Sequence, residues 1–333
     1  MSVRTASHAG SWYSSDPKKL SQELKHWLQS VPQRTEDDVP VPVRNARAII
    51  APHAGYSYSG ETAAYAYKCI NVSDIKRVFI LGPSHHVYMS GCAISEFDEY
   101  ATPLGPLKLD REVIEELKAT GQFESMSSQT DEDEHSIEMH LPYIYKIMDS
   151  KEEEYTIVPI LVGALNRLRE EFYGKLLAPY LADPENLFII SSDFCHWGRR
   201  FSYTFYTIAD PPSHAPSTAS QFPVYTVPIH SCIERLDREG MHLIERMDPR
   251  IFHDYLKRSR NTICGRHPIA VLLWSLTQLY TGASSEDAPI IRFTRYAQSN
   301  RVMRPSESSV SYASAYTYIP ANVKARRMPL PAE

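Results

Sequence analysis

Three apolar runs in this chain stop on the same kind of residue. Ile49-Ile50-Ala51 passes through Pro52 to His53. Arg77–Leu81 passes through Gly82-Pro83-Ser84 to His85 and His86, and Leu187–Ile190 passes through Ser191-Ser192 to Asp193 and His196. One histidine among thirteen says little, because a lone imidazole is commonly a surface or core residue. Repetition at strand ends says more, since open α/β sheets bind ligands in the crevice beyond the carboxyl ends of their strands. A fourth segment, NTICGRHP (Asn261–Pro268), sets Cys264 beside Gly265 and just ahead of an apolar helical stretch. The positive end of a helix dipole favours thiolate, and Arg266 and His267 are expected to push the same way.

Two imidazoles and a thiolate form a metal donor set. Soft sulfur with imidazole suits Cu(I), Fe(II) or Zn(II), and three protein ligands leave coordination positions open, as a catalytic metal requires. The candidates are His53, one of His85 and His86, and Cys264. His196 is then free for acid–base work, and Asp193 to orient a ligand histidine by a hydrogen bond. Other groups take blander readings. Cys69, Cys92 and Cys195 read as structural thiols, and Asp131–Glu134 as the solvated start of a helix running HSIEMHLPYIYKIM. His135, Glu138 and His140 could be a second ligand set, but His135 and His140 are five apart, a poor spacing for one helix face. Trp12 and Tyr13 read as a staple for the N-terminal arm. GYSYSG lacks the spacing of a nucleophile elbow.

The elements that must position these residues alternate. Strands are predicted over Arg47–Ala51, Arg77–Leu81, Tyr155–Val162 and Leu187–Ile190, with late strands over Pro289–Tyr296 and Ser309–Tyr318, the last alternating. Helices are predicted from Pro17, capped by Asp16, and over Ser59–Ile70, Asp110–Thr120, Ser231–Glu245, Asp248–Arg258 and His267–Tyr280. This alternation predicts an α/β fold, a central sheet between helical layers, made mixed by antiparallel C-terminal strands. There is no internal repeat or clean linker, so one domain over residues 1–323 is expected. Residues 210–229, with five prolines, read as an insertion loop, and 324–333 as a flexible tail.

Composition bounds the rest. The 333 residues are 43% hydrophobic and 23% charged, with a net charge of −5 and no basic stripe. Sequence-independent nucleic-acid binding is not expected. No run approaches the ~20 apolar residues of a membrane span, and the N-terminus lacks the apolar stretch of a signal peptide. Five cysteines without a CxxC motif do not make a disulfide framework. The expectation is a cytoplasmic protein, with the nucleus also open to it.

The stretches SHAGSWY (Ser7–Tyr13), APHAGYSYSG (Ala51–Gly60), LGPSHH (Leu81–His86), TDEDEHSIEMHLPY (Thr130–Tyr143), SSDFCHWG (Ser191–Gly198) and NTICGRHP closely resemble the Memo family. They span nearly the whole chain. Memo proteins are similar in fold to class III non-haem iron extradiol dioxygenases of the LigB type, which implies one mixed sheet with helices on both sides. The resemblance places metal ligands at His53, His85 and Cys264. The dioxygenases carry glutamate where Cys264 stands, so the site is softened and ring cleavage is put in doubt. Their acid–base histidine matches His196, with Asp193 beside it. The resemblance further implies iron or copper as cofactor and a role in redox balance and cell-motility signalling. It also implies docking of phosphotyrosine peptides or signalling proteins in the same cleft, through Trp12, His53, His85, His196 and Cys264. The 210–229 insertion looks longer than the usual family loop.

Three functions compete on these residues: a metal-dependent redox protein, a non-catalytic phosphotyrosine-binding scaffold, and a metal-free cysteine hydrolase with Cys264 as nucleophile and His53 or His85 as base. The third ranks last, because the histidines outnumber what a Cys–His pair needs.

Overall fold

The structure, a computed structural model, describes all residues but 150, 152–153, 207–226, 281–287 and 327–333. Four strands form its centre: Ala46–Ala51, Asn186–Ser191, Arg77–Pro83 and Thr156–Val162, adjacent in that order and all parallel. Every residue of Ala46–Ala51 and Asn186–Ser191 is buried, as expected where helices cover both faces of a parallel sheet. Ser309–Tyr318 adds antiparallel to Ala46–Ala51, and Ile290–Gln298 and His196–Trp197 add antiparallel to it. Cys92–Ile94 and Phe123–Ser125 finish the other side. The sheet is therefore mixed, as the sequence predicts, and has nine strands.

On one face lies the helix Tyr56–Tyr67, covered in turn by Pro17–Ser30, with Leu141–Met148 packed against the latter. On the other, Arg167–Ala182 and Arg266–Thr277 pack tightly together, with Pro249–Ser259 beside them. One hydrophobic core runs through both layers.

Several local expectations are corrected. The helix predicted from Ser59 begins at Tyr56, because the Tyr56 N–H finds the Trp12 carbonyl at 2.9 Å. The single helix predicted from His135 is two, His135–Glu138 and Leu141–Met148, preceded by Ser128–Asp133. Glu134 is extended (φ −83°, ψ 121°) and interrupts the run. Pro142 lacks the N–H that a helix interior needs and sits in the first turn of a new helix. Asp131–Glu134 is not a solvated start: Asp131 and Glu134 are buried. The strand Ser309–Tyr318 does not alternate in burial; its interior is covered on both faces. Lys324 and Ala325, assigned to the tail, pair antiparallel with Leu279–Tyr280. The 210–229 insertion lies outside the described residues except for its last three, where Ile229 already opens the helix to Glu245. The rest of the tail also lies outside them.

Candidate metal centre

The parallel core delivers the carboxyl ends of Ala46–Ala51, Asn186–Ser191 and Arg77–Pro83 to one rim, as adjacent strands in register, with Ala51 opposite Ser191 and Leu81 opposite Ile190. His53, Asp193 and His85 follow directly from those ends. The rings of His53 and His85 meet edge to face at 5.2 Å. Cys264 arrives from the far side on the loop before the Arg266 helix, and its Sγ is 3.2 Å from His53 Nε2. Gly265 makes that approach possible: a Cβ there would stand 2.3 Å from both the Ser191 carbonyl oxygen and the Ser192 Cβ. His53, His85 and Cys264 therefore occupy one region.

A histidine outside the expected set joins them. Ligating atoms of His53, His85 and His135 all lie within 4.8 Å of one another, and the His135 ring stacks on His85 at 4.4 Å. The five-residue spacing of His135 and His140 carries no sign of this, because the partners of His135 are the distant strand-end histidines. His140 turns away, its Nδ1 bonded to the Tyr67 hydroxyl at 2.7 Å. The second ligand set is not assembled, since Glu138 is also engaged elsewhere. His86 is exposed and meets only the edge of His135, at 6.1 Å.

Hydrogen bonds fix which ring nitrogen is free. The Ser191 hydroxyl donates to the Ser136 carbonyl at 2.7 Å, so its lone pair accepts from His53 Nδ1–H at 2.6 Å, leaving Nε2 bare toward Cys264. Glu134 accepts from His85 Nδ1–H at 2.9 Å and from the His85 backbone N–H at 2.7 Å. His196 Nδ1–H donates to the Phe194 carbonyl at 2.9 Å, again leaving Nε2 free. Such outer partners set tautomer and raise ligand basicity. Asp193 does hold His53, but through the backbone: its Oδ1 accepts the His53 N–H at 2.9 Å, while Ser191 takes the ring.

Burial governs the charges. It drives His53 well below the usual imidazole range, and the neighbouring His85, His135, His140 and His196 push the same way. His135 is likewise held down to about 3, by burial first and His85 next. Burial would raise Glu134, but His85 and His135 outweigh it and hold the carboxyl down to about 2. For Cys264 the thiolate expectation is overturned. Burial and the Asp193 carboxylate push the thiol up, and the backbone N–H groups of Asp193 and Gly265 and the Arg266 charge do not compensate. His267 does not help either, since its Nδ1 meets Glu170 at 2.7 Å. Cys264 and His53 thus form a neutral pair sharing one proton between Sγ and Nε2, not the thiolate–imidazolium pair a cysteine hydrolase uses.

The N-terminal arm closes one side. Glu138, fully buried, accepts from Arg4 at 2.7 Å, the Tyr13 hydroxyl at 2.7 Å and the His8 backbone at 2.9 Å. The arm so clamped lays Trp12 against His135 at 4.4 Å, with 37% of Trp12 exposed. A cavity of about 500 Å3 is lined by Ala54, next in the chain to His53, and by Tyr58, Arg200, Phe201 and Tyr312, but by neither His53 nor His196. Phe201 sets the edge of its ring against His196 at 5.2 Å.

Fold and rim together define an α/β protein with a strand-end cluster of imidazoles and one thiol. The sequence profile described as Memo-like protein matches residues 4–316, and the chain belongs to the Memo family. It is 51% identical over 311 residues to Protein MEMO1 of Homo sapiens, covering 93% of this chain and 96% of that one. With Protein MEMO1 of Xenopus laevis it shares 52% over 311 residues and the same coverage. With Protein memo-1 homolog of Caenorhabditis elegans it shares 46% over 320 residues, 96% of this chain and 84% of that one. No helix among the described residues is long and apolar enough to cross a membrane.

Proposed function

We propose that this chain is a metal-binding redox protein that holds iron or copper at the strand-end rim. The observation that carries the reading is the meeting of His53, His85 and His135 within 4.8 Å, with Cys264 Sγ 3.2 Å from His53 Nε2. The donor chemistry fits: His53 is an uncharged imidazole with its Nε2 bare, a ready ligand, and the proton between Cys264 and His53 is one a cation would displace. His53, His85 and His135, whose ligating atoms meet, would hold the ion, with Cys264 beside His53 as a fourth donor. Such an ion supplies electron transfer or Lewis acidity. The chain's own residues orient and move protons. His196 Nε2 is the free acid–base atom, Asp193 fixes the turn that carries His53, and Phe201 and Trp12 set their rings against His196 and His135. On the family resemblance we assign this activity to redox balance and motility signalling in the cytoplasm, with the nucleus also open to it.

The test is anaerobic loading of the full chain with Fe(II) and with Cu(I), followed by element-resolved metal analysis. Stoichiometric retention that His53→Ala abolishes supports the reading; retention of neither ion by the unaltered chain ends it.

A second reading is favoured by Trp12, an exposed aromatic whose ring lies tilted against His135 at 4.4 Å. It is a phosphotyrosine-peptide scaffold using Trp12, His53, His85, His196 and Cys264. Calorimetry with phosphotyrosine peptides separates the two: binding that is independent of metal and weakened by Trp12→Ala, without redox turnover, favours the scaffold.

A further inference from the structure

A cavity of about 500 Å3 is lined by residues on either side of Cys264, among them Asn261, Thr262 and Arg266, but by none of the histidines of the rim. Its other walls are the amino end of the Arg167–Ala182 helix and the carboxyl end of the Pro249–Ser259 helix. Four cations surround it: Arg167, Lys257, Arg260 and Arg266. All four are exposed, and none makes an ion pair among the described residues, although the chain as a whole is net negative at −5. Arg266 reaches only the Ile263 carbonyl of its own loop, at 3.4 Å. The carboxylate in the lining, Glu170, is already bonded to His267 at 2.7 Å.

Two further features point inward. The helices starting at Arg167 and Arg266 both present their amino ends to this space, and the second has no side-chain cap. Helix amino ends attract anions. The opposing carboxyl end of the third helix is partly covered, because the Arg260 N–H bonds the Leu256 carbonyl at 2.8 Å. Separately, Asn261 is 4% exposed and uses its Nδ2 on Asp237 and Tyr255, which fixes the loop that carries Thr262 and Arg266 into the cavity wall.

We propose that this cavity is a second ligand site, distinct from the histidine rim, for a small soluble phosphate-bearing anion. Guanidinium groups match phosphate oxygens in pairs, and three of the four cations in the lining, Arg167, Arg260 and Arg266, carry one. The site backs onto the rim, since Thr262 holds the His196 backbone N–H at 2.7 Å and Asn261 binds the Asp237 that accepts from Cys195.

The full-length protein is titrated calorimetrically with inorganic phosphate and with pyrophosphate. One site is expected, with pyrophosphate the tighter ligand. Arg167→Ala/Lys257→Ala should weaken it about tenfold or more, because each lost cation removes a charge-assisted contact. Lys18→Ala/Lys25→Ala, an equal charge loss on the first helix, should leave affinity unchanged, as should His53→Ala. Absence of binding in the unaltered chain overturns the proposal. So does equal loss in both double variants, or loss in His53→Ala with the Arg167/Lys257 variant unaffected, which would put the anion at the rim. Retention on phosphoinositide-bearing vesicles without binding of free pyrophosphate would overturn it too, in favour of a lipid headgroup.

Discussion

Cys264 Sγ lies 3.2 Å from His53 Nε2 although 211 residues separate them in the chain. Both are neutral, and one proton sits between them. A metal ion that takes both atoms must expel that proton. Calorimetric titration of Fe(II) or Cu(I) in two buffers of different ionisation enthalpy should report about one proton released per ion near neutral pH. Cys264→Ser should abolish most of that release and weaken Cu(I) binding more than Fe(II) binding, because sulfur is the soft donor. Unchanged affinity for both ions would remove Cys264 from the ligand set and leave the three histidines.

Gly265 is the hinge of that relationship. An added methyl would press on the Ser191 carbonyl and the Ser192 side chain at 2.3 Å, and backbone on the strand side cannot yield cheaply. Gly265→Ala should therefore cost about 1–3 kcal/mol of stability and displace Cys264 from His53. Denaturant unfolding measures the first effect, and metal retention in the folded fraction measures the second. A variant of unchanged midpoint and unchanged affinity would contradict the close approach.

Much of the rim is legible in the sequence because its logic is local. An apolar run followed by a short polar turn places His53, His85 and Asp193 at strand ends, and parallel pairing then brings the ends together. What is not legible is long-range and acidic. His135 joins through stacking on His85, and no spacing within its own segment signals that. The buried state of Asp131, Glu134 and Glu138 depends on partners far away in the chain: Arg4 reaches both Asp131 and Glu138, and His85 reaches Glu134. An acidic run reads as solvated until its cations are known. The thiolate expectation for Cys264 failed for a related reason. Helix dipole and nearby arginine are visible in sequence, whereas burial and the Asp193 carboxylate are not.

Glu134 holds His85 by two hydrogen bonds, one to the ring and one to the backbone. Removing its charge while keeping its shape separates orientation from packing. Glu134→Gln should lower metal affinity by about 10–100-fold, the usual effect of losing such an outer partner, measured by competition against a chromophoric chelator. The thermal midpoint should move far less than in Gly265→Ala. An unchanged affinity would place His85 outside the coordination set.

Glu138 makes the fold's acid sensitivity specific. Burial alone would raise its pKa, but hydrogen bonds from His8 and Tyr13 and the Arg4 charge outweigh that and hold it down to about 2, below the ordinary 4.5. A carboxyl depressed in the folded state contributes stability that is complete above pH ~4.5 and is lost as pH falls toward about 2. The gap corresponds to at most about 3 kcal/mol. Unfolding free energy measured between pH 6 and pH 2 should fall across the acid half of that window, with the N-terminal arm released first, since Arg4, His8 and Tyr13 all anchor on this one carboxylate. Glu138→Gln should start less stable and show a flatter acid limb, and Trp12 fluorescence should report release of the arm from His135. An acid limb of the same slope in Glu138→Gln would assign the sensitivity to other groups.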